Sequence, residues 1–518
     1  MFYVLGSGPA ALSAATALVA RGRRVTILDA GRTLEPERQE VLRRVSRQEP
    51  EDWDARDLET LRGGDQKSRQ GKIHVKLSYG SDYPYRDVER PLKEGEGFHY
   101  SMARGGLSSV WGASLLPYRA EDIADWPIRI ADLEPHYRAV LDFMPSAGVR
   151  DDLEETLPSY TERDDPFRPS AQAARFLEDM ARHRPALKKA GIFFGRSRMA
   201  ASASGDARRH ACVYCGRCLY GCPYSLIYSA AHTLDALLES GKVSYIPGQV
   251  VERLEPHAGG VKIHTQDSVH EAERVFAGCG ILPNAYLALN SLGAYDVPVR
   301  MLDSQYFIYP FFRLHRTRGV QSEALHSMAQ SFLEIDAPSV SKRLVHLEVF
   351  TYSDFLKRAL LETPLKFVLW NRRASEEILG RLLVLQGFLH SDDSSEIEVT
   401  LQRSPRPLLK VEPKPKRRAL WAGIRAGLKL TANALPLGGL PALPGLQFAE
   451  PGRSYHSGGT FPMRERPRGF ETDKLGRIPG LERVHFVDAS VFPSIPATTI
   501  TLSVMANAHR IAHLSAEL

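Results

Sequence analysis

The sequence predicts an α/β protein that joins a Rossmann-type dinucleotide-binding domain to an α+β domain with an antiparallel sheet and helices. Two observations predict this fold class. A glycine-rich turn between an apolar strand and an alanine-rich helix opens the chain, and residues 297–450 carry strand-like runs mixed with amphipathic helical stretches. With 518 residues, the chain is long enough for two or three domains with substantial cores.

The N-terminal element is a βαβ unit. Residues 2–5 form a short apolar strand, GSGPAA follows, a helix runs to about Arg21, and RVTIL forms a second strand that ends on Asp29. The spacing G-x-G-x-x-A lets backbone N–H groups approach a pyrophosphate at the helix N-terminus, where the helix dipole favours anions. Asp29 is placed to accept hydrogen bonds from ribose hydroxyls. This predicts a dinucleotide site, and a helix-capping turn without a ligand is the alternative.

Two segments come between this unit and the next motif. Residues 34–90 are charged and irregular, which predicts a covering segment. Residues 102–117, MARGGLSSVWGASLLP, are rich in small side chains, and their glycines allow backbone to lie close to a flat ring or a phosphate. A flexible loop is the alternative for this second glycine-rich stretch.

Four of the five cysteines lie in one short run, CVYCGRCLYGCP, at Cys212, Cys215, Cys218 and Cys222. The spacing C-x2-C-x2-C-x3-C-P is the one that bacterial ferredoxins use to bind an iron–sulfur cluster. Structural zinc sites usually split into two distant pairs, so zinc is a weaker alternative, as are buried free thiols. The sequence therefore predicts an iron–sulfur site with four or three irons. Cys279 is interpreted as a packed small side chain.

After this run, a helix is predicted over residues 229–240, followed by strands at 243–246, 250–254, 261–264 and 274–277 and by the helical NAYLALNSL. In residues 297–450, the predicted strands and helices alternate. The strands are 307–314, 344–352, 382–390 and 396–401, and the helices are 353–361, 375–381 and 418–434. The segment FLKRALLETPLKFVLWNRR suits either a core-facing amphipathic helix or a helix on a membrane surface.

Charge and apolar content limit the location and the partners. The formal net charge is +6, but the basic residues are dispersed, and the one dense basic run lacks aromatic interleaving, so no nucleic-acid partner is expected. The N-terminus lacks a basic n-region, and no apolar run is long enough to span a membrane. With reduced cysteines, this predicts a cytoplasmic protein, with a peripheral contact at the inner face of the membrane as a further expectation.

The C-terminal region carries YHSGGTFPM, the strand VHFVDAS, then VFPSIPATTITLS and a final helix. Together with GSGPAA, ILDAG, RGGLSSVWGA and DWPI, these motifs resemble the glucose–methanol–choline (GMC) oxidoreductases, flavoproteins that oxidise alcohols. The resemblance spans most of the predicted nucleotide-binding half, and residues from about 300 to 450 carry no matching motif. It implies a GMC-like fold with an FAD-binding Rossmann domain and a substrate domain.

The resemblance also implies which residues bind the cofactor. They lie in the two glycine stretches, the ends of two strands and the C-terminal motif: Gly6, Ser7, Gly8, Pro9, Ala10, Ala11, Asp29, Ala30, Gly31, Gly105, Gly106, Ser109, Val251, Asp488, Ala489 and Thr499. The implied domains are residues 1–37, 206–296 and 451–518 for FAD, 38–205 as a covering and interdomain segment, and 297–450 for the substrate.

By the same resemblance, His456 is the catalytic histidine, a base that takes the proton of the substrate hydroxyl. The family's second active-site residue, usually histidine or asparagine, falls on Thr499, which departs from the pattern. A threonine hydroxyl donates or accepts a hydrogen bond but is no base at neutral pH. Thr498 or Thr501 fills this position if the alignment slips.

Bacterial sugar dehydrogenases of this family also carry a cysteine cluster that binds iron and sulfur. The resemblance, together with the cysteine run, therefore implies FAD-dependent oxidation of a sugar, a polyol or a lipid-linked alcohol, with electrons passing through the cluster to an acceptor protein or a quinone. Two alternatives stay open. One is a reductase of a carbonyl or a double bond, and the other is a non-catalytic flavin-fold protein with structural zinc.

Overall fold

The computed structural model describes residues 1–62, 83–85, 92–94, 98–205 and 210–517. The α-helices in this part of the chain are α1 Pro9–Ala20, α2 Pro36–Val45, α3 Ala55–Arg62, α4 Ile130–Phe143, α5 Ala171–Arg182, α6 Arg184–Lys189, α7 Ala230–Glu239, α8 Ile281–Ser291, α9 Asp354–Leu361, α10 Lys366–Leu369, α11 Arg372–Arg381, α12 Arg417–Ala432 and α13 Thr501–Ser515.

The strands are β1 Phe2–Leu5, β2 Val25–Leu28, β3 Ile192–Arg196, β4 Val243–Ile246, β5 Val251–His257, β6 Gly260–Thr265, β7 Val269–Ala272, β8 Arg274–Ala277, β9 Pro298–Asp303, β10 Tyr306–Arg313, β11 Ser331–Ile335, β12 Val345–Phe350, β13 Leu382–Phe388, β14 Glu396–Gln402, β15 Leu408–Lys414, β16 Gly439–Pro441, β17 Gln447–Phe448, β18 Ser457–Gly458 and β19 Val484–Phe486.

The nucleotide-binding half is built on a five-stranded parallel sheet in the order β19-β8-β1-β2-β4. Strands β1, β2 and β8 are buried along their whole length, as expected for a parallel sheet that is covered on both faces. The alanine-rich α1 packs against α13, and the hydroxyl of Ser13 donates to the carbonyl of Met505 at 2.7 Å. The small side chains of α1 allow this close approach.

The second half is built on an antiparallel sheet in the order β16-β10-β13-β12-β11-β3, with β17 also paired to β10. Alternation along β10 shows how the sheet divides its two faces. Phe307, Tyr309 and Phe311 are fully buried on one face, and Gly427 of α12 lies against the Tyr309 hydroxyl. Tyr306 and Ile308 belong to the other face and line a large cavity. The predicted fold class is confirmed.

Two smaller antiparallel sheets complete the fold, β15-β14-β9-β18 and β5-β6-β7. Buried residues of β9, β14 and β15 share one hydrophobic core with the Rossmann sheet. Strand β3, which lies in the predicted covering segment, pairs with β11 in the sheet of the second half. The chain therefore crosses between the two halves at more places than the sequence suggests. The predicted domain boundaries stay a prediction.

Most predicted elements recur within two residues of their expected ends, including β4 and β8 with identical bounds. The prediction of an irregular segment after residue 34 is wrong where the structure shows α2 and α3, and residues 63–82 and 86–91 of that segment lie outside the described part. In the described residues, no helix is long and apolar enough to cross a membrane.

Residues 355–373, which mix basic and large apolar side chains, do not form the single core-facing helix that the sequence suggested. They divide into α9, α10 and the start of α11, and Phe367 and Trp370 are exposed. Leu360 and Leu361 of α9 pack against a small separate core, so only part of the segment faces inward.

Candidate active site

A cavity of about 880 Å³ lies between the two halves of the molecule. Its walls come from the ends of β1 and β2, the glycine turns, the pocket-facing side of the antiparallel sheet and the C-terminal motif. Of the predicted site residues, those that line the cavity are Gly6, Ser7, Gly8, Pro9, Ala10, Asp29, Ala30, Gly106, Val251, His456, Asp488, Ala489 and Thr499.

The other predicted cofactor residues lie just behind this wall. Ala11 packs against Gly278 where β8 meets α1, and Gly31 approaches the hydroxyl of Tyr245. The Gly105 N–H donates to the Ser7 hydroxyl at 2.9 Å, and the Ser109 hydroxyl contacts the Tyr83 hydroxyl at 2.9 Å. These four residues shape the cavity without lining it.

The first glycine turn presents a helix N-terminus to the cavity. Gly6 has a φ of 89°, and a Cβ on it would lie 3.0 Å from the carbonyl oxygen of Gly278. Gly8 precedes α1 and Pro9 opens it, and no described side chain caps the helix there. The uncapped N–H groups and the positive end of the helix dipole suit the pyrophosphate of a dinucleotide. The turn therefore fits FAD at this place.

Asp29 ends β2 on the cavity wall. Its carboxylate accepts hydrogen bonds from the Ser7 hydroxyl and, at 3.0 Å, from the Tyr245 hydroxyl. Burial raises the pKa of Asp29 to about 6, although these two hydrogen bonds favour the ionised form. The carboxylate is thus held at the strand end, where ribose hydroxyls are expected to bind.

The second glycine stretch lies directly on the first turn. A Cβ on Gly106, whose φ is 59°, would lie 3.2 Å from the Cα of Gly8. The Ser7 hydroxyl links the two stretches, because it donates to Asp29 and accepts the Gly105 N–H. A side chain at position 106 would press on the Gly8 backbone and would be strained at this positive φ, so glycine suits the position.

The C-terminal motif adds a buried carboxylate at the same edge of the parallel sheet, beyond the end of β19. Asp488 follows β19 and accepts hydrogen bonds from the Asn284 amide at 2.7 Å and from the Ser490 N–H at 3.0 Å. Burial raises the pKa of Asp488, and both hydrogen bonds oppose that shift. Cys279 also lines the cavity, and burial raises the pKa of its thiol.

His456 is presented by a loop that one buried carboxylate organises. Asp303, at the end of β9, accepts the Gly452 N–H at 2.7 Å, the Ser457 hydroxyl at 3.0 Å and the Ser454 hydroxyl. The Ser454 hydroxyl in turn accepts the His456 N–H at 2.9 Å. The His456 ring stacks on Phe388, with the ring centroids 4.8 Å apart.

The imidazole of His456 is neutral in this environment. Burial lowers its pKa to about 3, and the charge of nearby His346 acts in the same direction. Burial acts against the charge of His346 as well, but the carboxylate of Glu334, 2.7 Å away, outweighs it and raises the pKa of His346. A neutral imidazole can accept a proton, so the protonation state suits a general base.

Thr499 lies on the same cavity wall, and its hydroxyl oxygen accepts the Leu116 N–H at 2.8 Å. Its hydroxyl hydrogen and its second lone pair can both serve a ligand. Thr501 also lines the cavity, whereas the hydroxyl of Thr498 is buried and donates to the Pro117 carbonyl at 3.3 Å. The catalytic assignments of His456 and Thr499 stay predictions.

The cysteine segment lies beside this cavity, because Leu219 within the run is one of the lining residues. Burial raises the pKa of Cys212 to about 11 and those of Cys215 and Cys222 to about 12. The pKa of Cys218 is raised by burial too. The Cys218 thiol raises the pKa of the other three thiols, which requires that it lie close to each of them.

Backbone N–H groups surround these sulfur atoms. Cys212 accepts from Tyr214, Cys215 from Arg217 and Cys222 from Tyr224 and Leu226, while Cys218 accepts from Ser327 and Met328. Over the described residues, however, no three His, Cys, Asp or Glu side chains converge on a position that could hold one metal ion. The described residues therefore show no preformed metal site, and the iron–sulfur cluster stays a prediction.

Sequence reasoning missed two sets of residues at the site. Asp303 had no signal, because its role depends on a loop that is about 150 positions away in the sequence. Glu348 and Gln386 face the cavity from paired positions on β12 and β13. They lie in the region without motifs, and only the sheet register brings them to the site.

The fold and the site together define a flavoprotein oxidoreductase architecture. Residues 394–508 match the model of the GMC oxidoreductase C-terminal domain, described as GMC oxidoreductase. This stretch contains His456, Asp488 and Thr499. The match supports the predicted enzyme class, an FAD-dependent oxidoreductase, and the resemblance to the GMC family over this part of the chain.

Two solved structures have the same overall fold. Pyridoxine 4-oxidase from Mesorbium loti is 15% identical with a TM-score of 0.61, over 100% of this chain and 99% of that one. A formate oxidase from Aspergillus oryzae, studied for the effect of the mutation R554K on FAD modification, is 14% identical with a TM-score of 0.60, over 100% and 98%. At this identity the likeness concerns the fold alone. No curated protein matches the chain.

Proposed function

We propose that this protein is an FAD-dependent dehydrogenase that oxidises an alcohol and passes the electrons through an iron–sulfur cluster to an external acceptor. The observation that carries the proposal is one cavity that joins the glycine turns, the neutral His456 and the edge of the cysteine segment. The fold and the C-terminal domain match support the oxidation of an alcohol or a related group.

The residues of the chain divide the work of such a reaction. FAD bound at the glycine turns supplies the hydride acceptor. His456 takes the proton of the substrate hydroxyl, because its imidazole is neutral and faces the cavity. The Asp303 network keeps the His456 loop in place, and the Thr499 hydroxyl donates a hydrogen bond to the substrate oxygen. The products are a carbonyl compound, one proton and the reduced cofactor.

The cysteine segment is the proposed exit for electrons. Its spacing, the closeness of its thiols and the N–H groups directed at the sulfur atoms support a cluster, which N–H donors stabilise. The thiolates of a cluster bind different iron atoms. They therefore need not converge on a single point, as the ligands of one metal ion must. A cluster here supplies one-electron transfer to an acceptor protein or a quinone.

We further propose that the substrate is a sugar, a polyol or a lipid-linked alcohol. The protein works in a reducing compartment, the cytoplasm, at the inner face of the membrane. The free state of all five cysteines agrees with that location.

The oxidoreductase proposal is tested by anaerobic reduction of the bound flavin with a panel of alcohols. We expect bleaching of the flavin absorbance by at least one alcohol, and a loss of about 10²–10⁴-fold in that rate in His456→Ala, typical for a general base. The FAD content of the variant serves as control and stays unchanged. Bleaching by reduced nicotinamide alone, with none by any alcohol, would favour a reductase and contradict the proposal.

The cluster is tested separately by iron and acid-labile sulfide analysis and by electron paramagnetic resonance of anaerobically prepared protein. Cys215→Ser is expected to lose iron and sulfide, whereas Cys279→Ser, outside the run, keeps both. Zinc in place of iron, or equal iron in the two variants, would rule out the cluster and leave the alcohol oxidation standing.

A further inference from the structure

The segment between α9 and α11 exposes four large apolar side chains, Leu365, Phe367, Val368 and Trp370, which we call the α10 patch. Their exposed fractions are 40%, 64%, 43% and 76%. Single exposed apolar residues are ordinary on a protein surface, but a contiguous group marks a contact site. Four such residues within six positions make the α10 patch a candidate for one.

The α10 patch is carried by an anchored element. Leu369 is buried in a small core with Val320, Leu325, Tyr352 and Leu379. This inward contact fixes the orientation of α10 and directs its neighbours to solvent. The exposed side chains therefore belong to the folded state of the segment, although burying them would stabilise the chain.

Exposed basic side chains lie beside the α10 patch. These are Lys366 and Arg373, whereas Arg372 pairs with Glu376 at 3.1 Å. The nearest acidic residues in the sequence are Glu362, Glu376 and Glu377. The Lys366 ammonium lies 5.1 Å from the centre of the Phe367 ring. Aromatic side chains flanked by lysine and arginine suit the headgroup layer of an anionic membrane. A second copy of this chain is the competing occupant, and self-association without lipid would reveal it.

Helix α9 connects the α10 patch to the cavity. Phe355 and Leu356 of α9 line the cavity and are half-buried. Helices α9 and α10 are in contact, and the Phe355 ring meets Tyr220 of the cysteine segment with the centroids 5.5 Å apart. A flat surface bound at the α10 patch would therefore lie near the cavity wall that α9 forms.

We propose that the α10 patch binds the surface of an anionic lipid bilayer and holds the α9 wall of the cavity next to it. The aromatic side chains enter the headgroup region, and the basic side chains pair with lipid phosphates. An alcohol dissolved in the bilayer then reaches the cavity without crossing bulk water. This last step rests on the proposed alcohol oxidation, whereas the membrane contact does not.

The test is co-sedimentation of the full-length, FAD-loaded protein with vesicles of phosphatidylcholine alone or mixed with phosphatidylglycerol. We expect binding to the anionic vesicles that weakens with salt. The double variant Phe367→Ser/Trp370→Ser is expected to lose at least about tenfold in partitioning, since it removes two large apolar anchors. The matched control is Leu420→Ser/Trp421→Ser, which changes exposed residues of α12, 45% and 56% accessible, outside the α10 patch.

Several results would overturn the proposal. These are no binding to anionic vesicles, equal binding to neutral and anionic vesicles, or an equal loss in both double variants. Sedimentation velocity of the same samples without lipid detects self-association, and a dimer that only Phe367→Ser/Trp370→Ser abolishes would assign the α10 patch to a second copy. Flavin reduction by a water-soluble alcohol, measured in parallel, is expected to be equal in wild type and variants. If the alcohol reduces the flavin in neither the wild type nor the two double variants, the proposed alcohol oxidation is contradicted but the membrane contact is not.

Discussion

Substituting Gly6 by alanine tests whether the first glycine turn is shaped for a cofactor. The matched control is Gly22→Ala. Both glycines have positive φ, 89° at Gly6 and 74° at Gly22, so both variants place an alanine in the left-handed region. They differ in surroundings, because a Cβ on Gly6 meets the Gly278 carbonyl oxygen at 3.0 Å and the Cys279 Cα at 3.2 Å, whereas a Cβ on Gly22 meets nothing within 4 Å.

The magnitudes follow from these distances. A left-handed alanine costs about 1–2 kcal/mol, which is the whole expected loss of stability in Gly22→Ala. In Gly6→Ala the new methyl group also presses on backbone that has no side chain to move aside, so the turn itself must shift. A displacement of the N–H groups that face the pyrophosphate is expected to weaken FAD binding by at least about tenfold, or ~1.4 kcal/mol.

The assay compares urea unfolding of the two apoproteins and titration of each with FAD, followed by flavin fluorescence. We expect Gly22→Ala to be less stable than wild type only by the cost of a left-handed alanine. Its affinity for FAD is expected to be unchanged. An FAD affinity of Gly6→Ala equal to that of wild type would refute the assignment of the turn to the cofactor. A parallel loss in both would show that strain, and not contact with the cavity wall, limits binding.

Three further predictions concern His456 and the buried titratable groups. Because the pKa of His456 is lowered to about 3, kcat/KM for the alcohol should not fall through pH 6.5, and an acid limb near pH 6.5 would contradict its neutral state. Asp303→Ala should slow flavin reduction by about 10²-fold with FAD retained, because the loop that carries His456 loses its acceptor, and Ser457→Ala should have a smaller effect. Stability should fall as the pH drops below 6.5, because His326, His456 and His485, with pKa values of about 3, 3 and 4, stay unprotonated when folded and take up protons when unfolded. The raised pKa values of buried carboxyl groups act in the opposite direction. With both effects included, the free energy of unfolding changes by on the order of 1–2 kcal/mol per pH unit near pH 5.5. Urea unfolding at pH 7 and 5.5 measures this change.

Local patterns were sufficient for the elements that form from short stretches of chain. The βαβ unit was predictable because its strands are apolar runs and its turn needs glycine, and both signals lie within about 30 residues. Strands β10, β12, β13 and β14 of the second half were predictable for the same reason. The sequence did not predict β3, β9, β11 or β15 to β18, and β3 and β11 pair with each other. Helices α2 and α3 were missed because their amphipathic pattern is short and mostly charged.

The site itself divides in the same way. Gly6, Asp29 and His456 lie in motifs that can be found one by one, and the cavity brings them together as expected. Asp303 and Glu348 lie in no motif, because a buried carboxylate acquires its role from donors or a cavity supplied by distant segments.

The cysteine segment shows most directly what a sequence pattern alone cannot predict. Its spacing alone predicts a metal centre, but a metal site depends on where the sulfur atoms point, and those directions depend on contacts with residues such as Ser327 and Met328.

The sequence by itself therefore determined the fold class, the nucleotide-binding turn and the histidine motif, since each depends on residue type and spacing over a short span. The tertiary structure alone decided the protonation state of His456, the carboxylate that holds its loop and the exposure of the α10 patch. The physical reason is that burial and long-range hydrogen bonds belong to no single segment. They exist only after distant parts of the chain have packed against one another.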